Sequence, residues 1–244
     1  MTVKRKRSPF EKSARVERQY SSALRGVARE VGRIVARFDL SEPLYSVLVR
    51  QALEKYADLL RPWARVTASR ILSAINAQDE QAWATQSREM SRALQKEIKS
   101  APTGEAMRRF LDENVLLITS LPLEAALRVH KLTLEGLADS RRASDIAAEI
   151  LRTGEVTKSR AMLIARTEVA RTASGLAMVR AAHIGCTHYV WRTSRDGDVR
   201  PSHREMEGKV IAFNDPPTLS DGAKTHAGQI FNCRCYPEII VPDM

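Results

Sequence analysis

Thr187-His188-Tyr189-Val190-Trp191-Arg192-Thr193 is the stretch on which the fold class turns. Its β-branched and aromatic residues, entered through Gly185, read as a strand. Nothing before residue 185 alternates in this way. After it, residues 194–201 are a polar loop and 209–213 read as a second short strand. Residues 214–228 form a long loop containing Asp215-Pro216-Pro217, and 229–241 hold the last strand or strands, closing on Tyr236-Pro237-Glu238-Ile239-Ile240-Val241. A tail of about sixty residues is too small to bury a large core alone, so it needs a staple or the helices before it to pack on.

Upstream, the apolar period is helical. Val16, Tyr20, Leu24, Val27, Val31, Ile34, Val35 and Phe38 recur at three- and four-residue steps, giving a helix over 11–38. Ser41 as N-cap and Pro43 in the first turn start a second helix, 43–60. Pro62 is expected to end it, with further helices at 63–77 and 78–99, the latter marked by Trp83, Met90, Leu94 and Ile98. Pro102 and Gly104 precede a helix at 105–118, and Pro122 is expected to open another at 122–138. A short helix over 145–152 ends at Gly154, and a long one covers 158–183. Helix, turn, helix here is read as packing rather than DNA reading. The class is therefore α+β: a mostly helical N-terminal three-quarters, as extended helices or a bundle, and a small C-terminal α+β module of short strands. The divisions are 1–38 as a basic arm and amphipathic helix, 39–140 as a helical region and 141–244 as the tail module.

The chain has 244 residues and a net charge of +10. Residues 1–38 hold eleven Lys or Arg against three acids, so +8 sits there and +2 is spread over the other 206. Lys4, Arg5, Lys6, Arg7, Lys12, Arg15, Arg18 and Arg25 form an arm suited to a polyanion, nucleic acid above all. No apolar stretch is long enough to span a bilayer, no secretory h-region follows the basic N-terminus, and three cysteines make no disulfide scaffold.

The chemistry-bearing residues gather in the tail: Asp196, Asp198, Arg200, His203, Glu205 and Glu207, then His226, Cys233 and Cys235. Thiolate and imidazole are preferred zinc ligands, so a Zn²⁺ site could draw on His203, Cys233, Cys235 and either Asp196 or His226. Such a metal would also staple the tail. Cys-x-Cys is tighter than the usual Cys-x2-Cys, and a disulfide across so small a ring would be strained. The competing reading makes the cysteines small buried hydrophobes. Catalysis is the other alternative, through a Cys-His-Asp system or a divalent metal on Asp196, His203 and Glu207, but no nucleophile elbow, Walker loop or zincin motif accompanies these residues.

Four pieces in series carry a resemblance. They are Ala165-Arg166-Thr167-Glu168-Val169-Ala170-Arg171-Thr172; Tyr189-Val190-Trp191 with Arg192-Thr193-Ser194 and Asp196; Asp198-Val199-Arg200-Pro201-Ser202-His203 leading to Glu207-Gly208-Lys209; and Asn232-Cys233-Arg234-Cys235. Over roughly 143–240 the chain resembles the phage Mu F-like minor head proteins, the phage head morphogenesis domain. The resemblance implies a structural rather than catalytic role inside the head of a tailed phage or prophage. Its implied partners are the portal protein, other head proteins and packaged double-stranded DNA, bound without sequence preference. It implies assembly in the host cytoplasm and no membrane, and leaves self-association open. Some relatives carry a toxin domain after this module; none is expected in a chain ending at Met244. The positions to watch are Asp196, Arg200, His203, Gly208, Cys233 and Cys235, with Arg166, Glu168 and Trp191 as structural marks. A metal-dependent nuclease acting during packaging and a host DNA-binding protein are the alternatives. Locally, Arg200 is expected to pair with a carboxylate, Asp196 or Glu168. Gly208 is expected at positive φ, Trp191 in the core, and Cys186 as a plain buried thiol.

Overall fold

The structure, a computed structural model, describes residues 14–38, 40, 44–86 and 92–241. In chain order these form α1 (Ala14–Ala36), α2 (Leu44–Gln86), α3 (Arg92–Ser100), α4 (Thr103–Ala138), α5 (Ala143–Leu151), α6 (Thr153–His183), β1 (His188–Arg192), α7 (Pro201–Arg204), β2 (Val210–Ala212) and β3 (Tyr236–Ile239). The class is α+β, mostly helical with a small three-stranded antiparallel sheet at the C-terminal end.

Three expected helix breaks are absent: α2 runs through Pro62 and through the boundary expected at 77/78, and α4 runs through Pro122. An internal proline removes one helix hydrogen bond and costs about 3 kcal/mol or more. Pro62 and Asp58, whose carbonyl loses its partner, are both exposed, so solvent can take that bond. Ala57, Leu60, Ala64 and Ala68 are buried on either side, and Leu121, Ala125, Ala126 and Val129 flank Pro122 in the same way. Continuous burial of one helix face outweighs the local cost. Gly154 also behaves differently from expectation, lying in the first turn of α6 rather than ending α5.

The chain divides into two compact units. The first comprises the described parts of Met1–Glu17, Ile71–Phe110 and Arg166–Met244, and the second comprises Arg18–Arg70 and Leu111–Ala165. In the second unit, Val31, Val35, Val49, Leu53, Ala126, Val129, Ile146 and Ile150 share one apolar cluster. The Tyr20 hydroxyl donates to Asn114 at 2.7 Å within that interior. A Cβ on Gly154 would stand 3.0 Å from the Cα of Gly32, so α1 and α6 approach there backbone to backbone.

In the first unit the sheet has the order β2-β1-β3, with β1 antiparallel to both neighbours. Val190 faces Val210 on one side, and Trp191 faces Pro237 on the other. Pro237 lacks an N–H, which an edge strand tolerates. Alternation along β1 turns Tyr189 and Trp191 inward, both fully buried. They join Trp83, Leu94, Ile98, Ala177 and Ala181 in one core, so the small tail borrows its interior from helices. Beside it Arg180, 2% exposed, donates to Asp79 at 2.6 Å, to the Ile98 carbonyl and Asn76 at 3.0 Å, and to Glu80 at 3.2 Å.

Candidate metal centre

The segment that carries the two informative cysteines is fixed point by point. Asn232 adopts φ of 55° and donates its N–H to the Thr167 hydroxyl at 2.9 Å. Its side-chain oxygen accepts from Arg166 at 3.0 Å, and Arg166 also pairs with Glu17 at 3.2 Å. Arg200 lies over the Phe231 ring at 4.7 Å and donates to the Phe231 carbonyl at 3.1 Å. Gly228 has φ of 79°, and a Cβ there would meet the Ser174 hydroxyl at 2.2 Å and the Cys235 carbonyl at 2.9 Å. The middle of α6 thus seats the turn that precedes β3. Extended backbone then sends residues two apart to the same side, so Cys233 and Cys235 point inward and Arg234 outward. That is how Cys-x-Cys aims two sulfurs at one place. Arg234 meets Asp196 at 2.6 Å and Asp198 at 3.4 Å.

His203 comes from α7, which starts at Pro201, ends at Arg204 and leads into the turn of Gly208. Gly208 has the expected positive φ, 81°, and donates its N–H to the Trp191 carbonyl at 2.8 Å. His203 is 2% exposed and meets the Trp191 ring edge-on at 5.6 Å. Its Nδ1 stands 3.4 Å from the sulfurs of both Cys233 and Cys235, and the three donor atoms lie within 4.8 Å of one another. Donors sharing a tetrahedral zinc at about 2.3 Å (sulfur) and 2.0–2.1 Å (nitrogen) stand about 3.5–3.8 Å apart, so the spacing suits a metal. The thiols are free. Hydrogen bonds from Cys235 and His203 hold the Cys233 thiol well below its usual range despite burial, and the neighbouring Cys233 sulfur and burial push Cys235 up. The pair therefore surrenders one proton readily, as a ligand must. His203 Nε2 is buried without a hydrogen-bond partner, so no second group orients the ring from behind.

The structure brings together three of the five expected ligands. Asp196 is committed to Arg234 and to the N–H of Asp198, which it accepts at 3.1 Å. His226 is half-buried beside Tyr189, whose hydroxyl accepts the Ala227 N–H at 3.2 Å and lies 3.1 Å from His226 Nδ1. Burial lowers the pKa of His226. Among the described residues no fourth donor joins the cluster. Arg200 takes neither expected carboxylate, since Asp196 pairs with Arg234 and Glu168 with Arg171 at 3.0 Å. Trp191 and Cys186 are buried as expected. Sequence reasoning missed the work of Glu207. Burial pushes its carboxyl up, but bonds from the Thr193 hydroxyl, Arg195 and the Thr193 N–H prevail and hold it at about 2. Gly228 and Arg180 were missed too; a lone glycine and a lone arginine inside a helix give no pattern to read.

Of the basic arm, Arg15 and Arg18 are exposed on α1 and Arg25 is half-buried. Lys4, Arg5, Lys6, Arg7 and Lys12 lie outside the described residues. Arg25, Arg29 and Arg33 line a groove with Lys158.

A long helix seating a Cys-Arg-Cys turn against a three-stranded sheet defines the module, and residues 128–237 match the family described as Phage Mu protein F like protein. Over that stretch, somewhat less than half of the chain, the protein is similar to this family. The chain is also 33% identical over 122 residues to an uncharacterized protein of Haemophilus influenzae strain KW20 Rd. That alignment covers 50% of this chain, which spans about a quarter (26%) of the relative's length. No solved structure matches.

Proposed function

We propose that this chain is a minor head morphogenesis protein of a tailed phage or prophage. It would act as a structural and interaction protein inside the head, associate with the portal, and contact packaged DNA without sequence preference. The observation that supports this reading is the coincidence of the stretch similar to Phage Mu protein F like protein with a locally over-determined module: Arg166, Thr167 and Asn232, which seat the Cys-Arg-Cys turn, are among the residues that carry the resemblance. Arginines and a lysine along the α1 groove, with the basic residues before it, support the DNA contact. The test is recovery of tagged protein with portal rings or heads from producing cells. A protein absent from particles and from portal fractions overturns the reading. For DNA, affinity should fall steeply with salt and drop on deletion of residues 1–38; salt-independent binding removes that part.

Zinc at His203, Cys233 and Cys235 is part of the same proposal, as a structural ligand whose binding consolidates the tail. Elemental analysis should give about one zinc per chain, lost in Cys233→Ser/Cys235→Ser. Metal-free protein with both thiols open to labelling removes zinc and leaves a buried thiol pair. The nuclease alternative gains nothing from the geometry, because the carboxylates of Asp196 and Glu207 are each held by arginine.

A further inference from the structure

The second unit buries one face of α4 and leaves a different apolar stripe open. Leu116, Ser120, Leu123, Leu127, His130, Leu134 and Leu137 follow one another at alternating steps of four and three, the repeat of a coiled-coil seam held for three heptads. The leucines are 62%, 39%, 66%, 54% and 52% exposed in that order. The inward face of the same helix is made by Ile118, Leu121, Ala125, Ala126 and Val129. A helix that already packs on its own unit needs no second heptad stripe for folding, and five leucines in a row exceed the scattered apolar residues of an ordinary surface.

We infer that this stripe is the pairing surface for a second copy of the same chain, joined antiparallel about a two-fold axis. The stripe is complementary to itself in one register. With Leu123 opposite the second copy's Leu127, Leu116 falls opposite Leu134 and Ser120 opposite His130, and each layer occurs twice by symmetry. Four of the five leucines meet a leucine, Leu137 falls opposite Glu113 at the end of the seam, and the two polar positions meet each other. Ser120 Oγ already donates locally, toward the Leu117 carbonyl or Glu124, and keeps lone pairs to accept an imidazole N–H. Sliding the copies by one heptad in either direction sets Ser120 against a leucine, Leu137 or Leu123, and breaks its match with His130. A parallel pair stacks imidazole on imidazole and serine on serine, without that donor-to-acceptor match. A polar layer of this kind fixes register. Glu124 falls near its own mate in the antiparallel pair, and Arg160 already neutralises it at 3.1 and 3.4 Å. The seam is about 32 Å long. One helix face of that length buries less than the roughly 800 Å² per partner of a standard interface, so the dimer should be concentration-dependent, of micromolar order.

Analytical ultracentrifugation of the full chain tests the pairing, with cysteine cross-linking to fix its direction. The expected result is a monomer–dimer equilibrium that Leu127→Glu shifts toward monomer by at least tenfold, with unchanged circular dichroism. Chains carrying Leu116→Cys mixed with chains carrying Leu134→Cys should form a disulfide dimer, whereas either variant alone should not. The native thiols are buried and serve as background. A protein monomeric at every concentration, a Leu127→Glu variant that pairs as well as wild type, or cross-links between identical positions would each overturn the inference. The first outcome would hand the stripe to a helix of a different protein.

Discussion

The unit that carries the sheet and the all-helical unit are consolidated by different contacts. In the first, polar groups with few alternatives pin the chain at named places: Arg180 on Asp79, Thr167 and Arg166 on Asn232, Thr193 and Arg195 on Glu207, Arg234 on Asp196. In the second, the work falls to aliphatic faces and a close crossing of Gly32 and Gly154, with a long-range buried side-chain bond from Tyr20 to Asn114. Pinned contacts fail singly and expensively. Packed faces share the load, and that is why they also absorb an internal proline. All three cysteines lie in the first unit, so thiol labelling reports on that unit by itself.

The comparison can be broken by substitution. The largest effect is expected from Arg180→Met, which leaves Asp79 buried and uncompensated and should cost about 3–5 kcal/mol in urea unfolding while speeding labelling of Cys186. A loss under 1 kcal/mol would mean that the pin is dispensable. Next comes Gly228→Ala, where a Cβ meets Ser174 and Cys235 at positive φ; about 2–4 kcal/mol should be lost, with Cys233 and Cys235 becoming accessible. Unchanged thiol protection would separate the loop from the centre.

Acidity gives a third test. Burial raises Asp79 from 3.8 to about 6, against the pull of Arg180. The folded state therefore holds this proton more tightly than the unfolded state. Stability contributed here is full below about pH 4 and declines as pH rises toward 6, by roughly 1–3 kcal/mol. Asp79→Asn should flatten that part of the pH profile, and an identical slope in the variant would exclude Asp79 as its source.

In the helical unit Gly154→Ala should cost about 1–3 kcal/mol by forcing α1 and α6 apart, without altering native-state thiol labelling. Pro62→Ala is expected to have the smallest effect and the opposite sign. It restores a helix bond at an exposed position and should stabilise by up to about 1–2 kcal/mol, less whatever the freed unfolded chain regains in entropy. Destabilisation there would show that α2 needs its proline.

Much of this architecture was legible. Periodicity gave the apolar face of α1, β-rich composition gave β1 and β2, and residue chemistry singled out His203, Cys233 and Cys235. The residues that seat them were less legible, because the hydrogen bonds from Arg166 to Asn232 and from Asn232 to Thr167 span more than sixty positions and leave no local pattern. Asp196 and Arg200 looked alike as loop charges, and only the positions of Arg234 and Phe231 chose their partners.

By itself the sequence determined the class of elements, the segregation of charge into residues 1–38 and the set of soft ligands, because hydrophobic period, charge and ligand chemistry are properties of the chain. Tertiary structure decided that α2 and α4 continue through proline, that Asp196 and His226 stand apart from the sulfurs, and that five leucines of α4 face outward. Each of these depends on which distant surface covers a residue, and burial is settled only when the chain has folded.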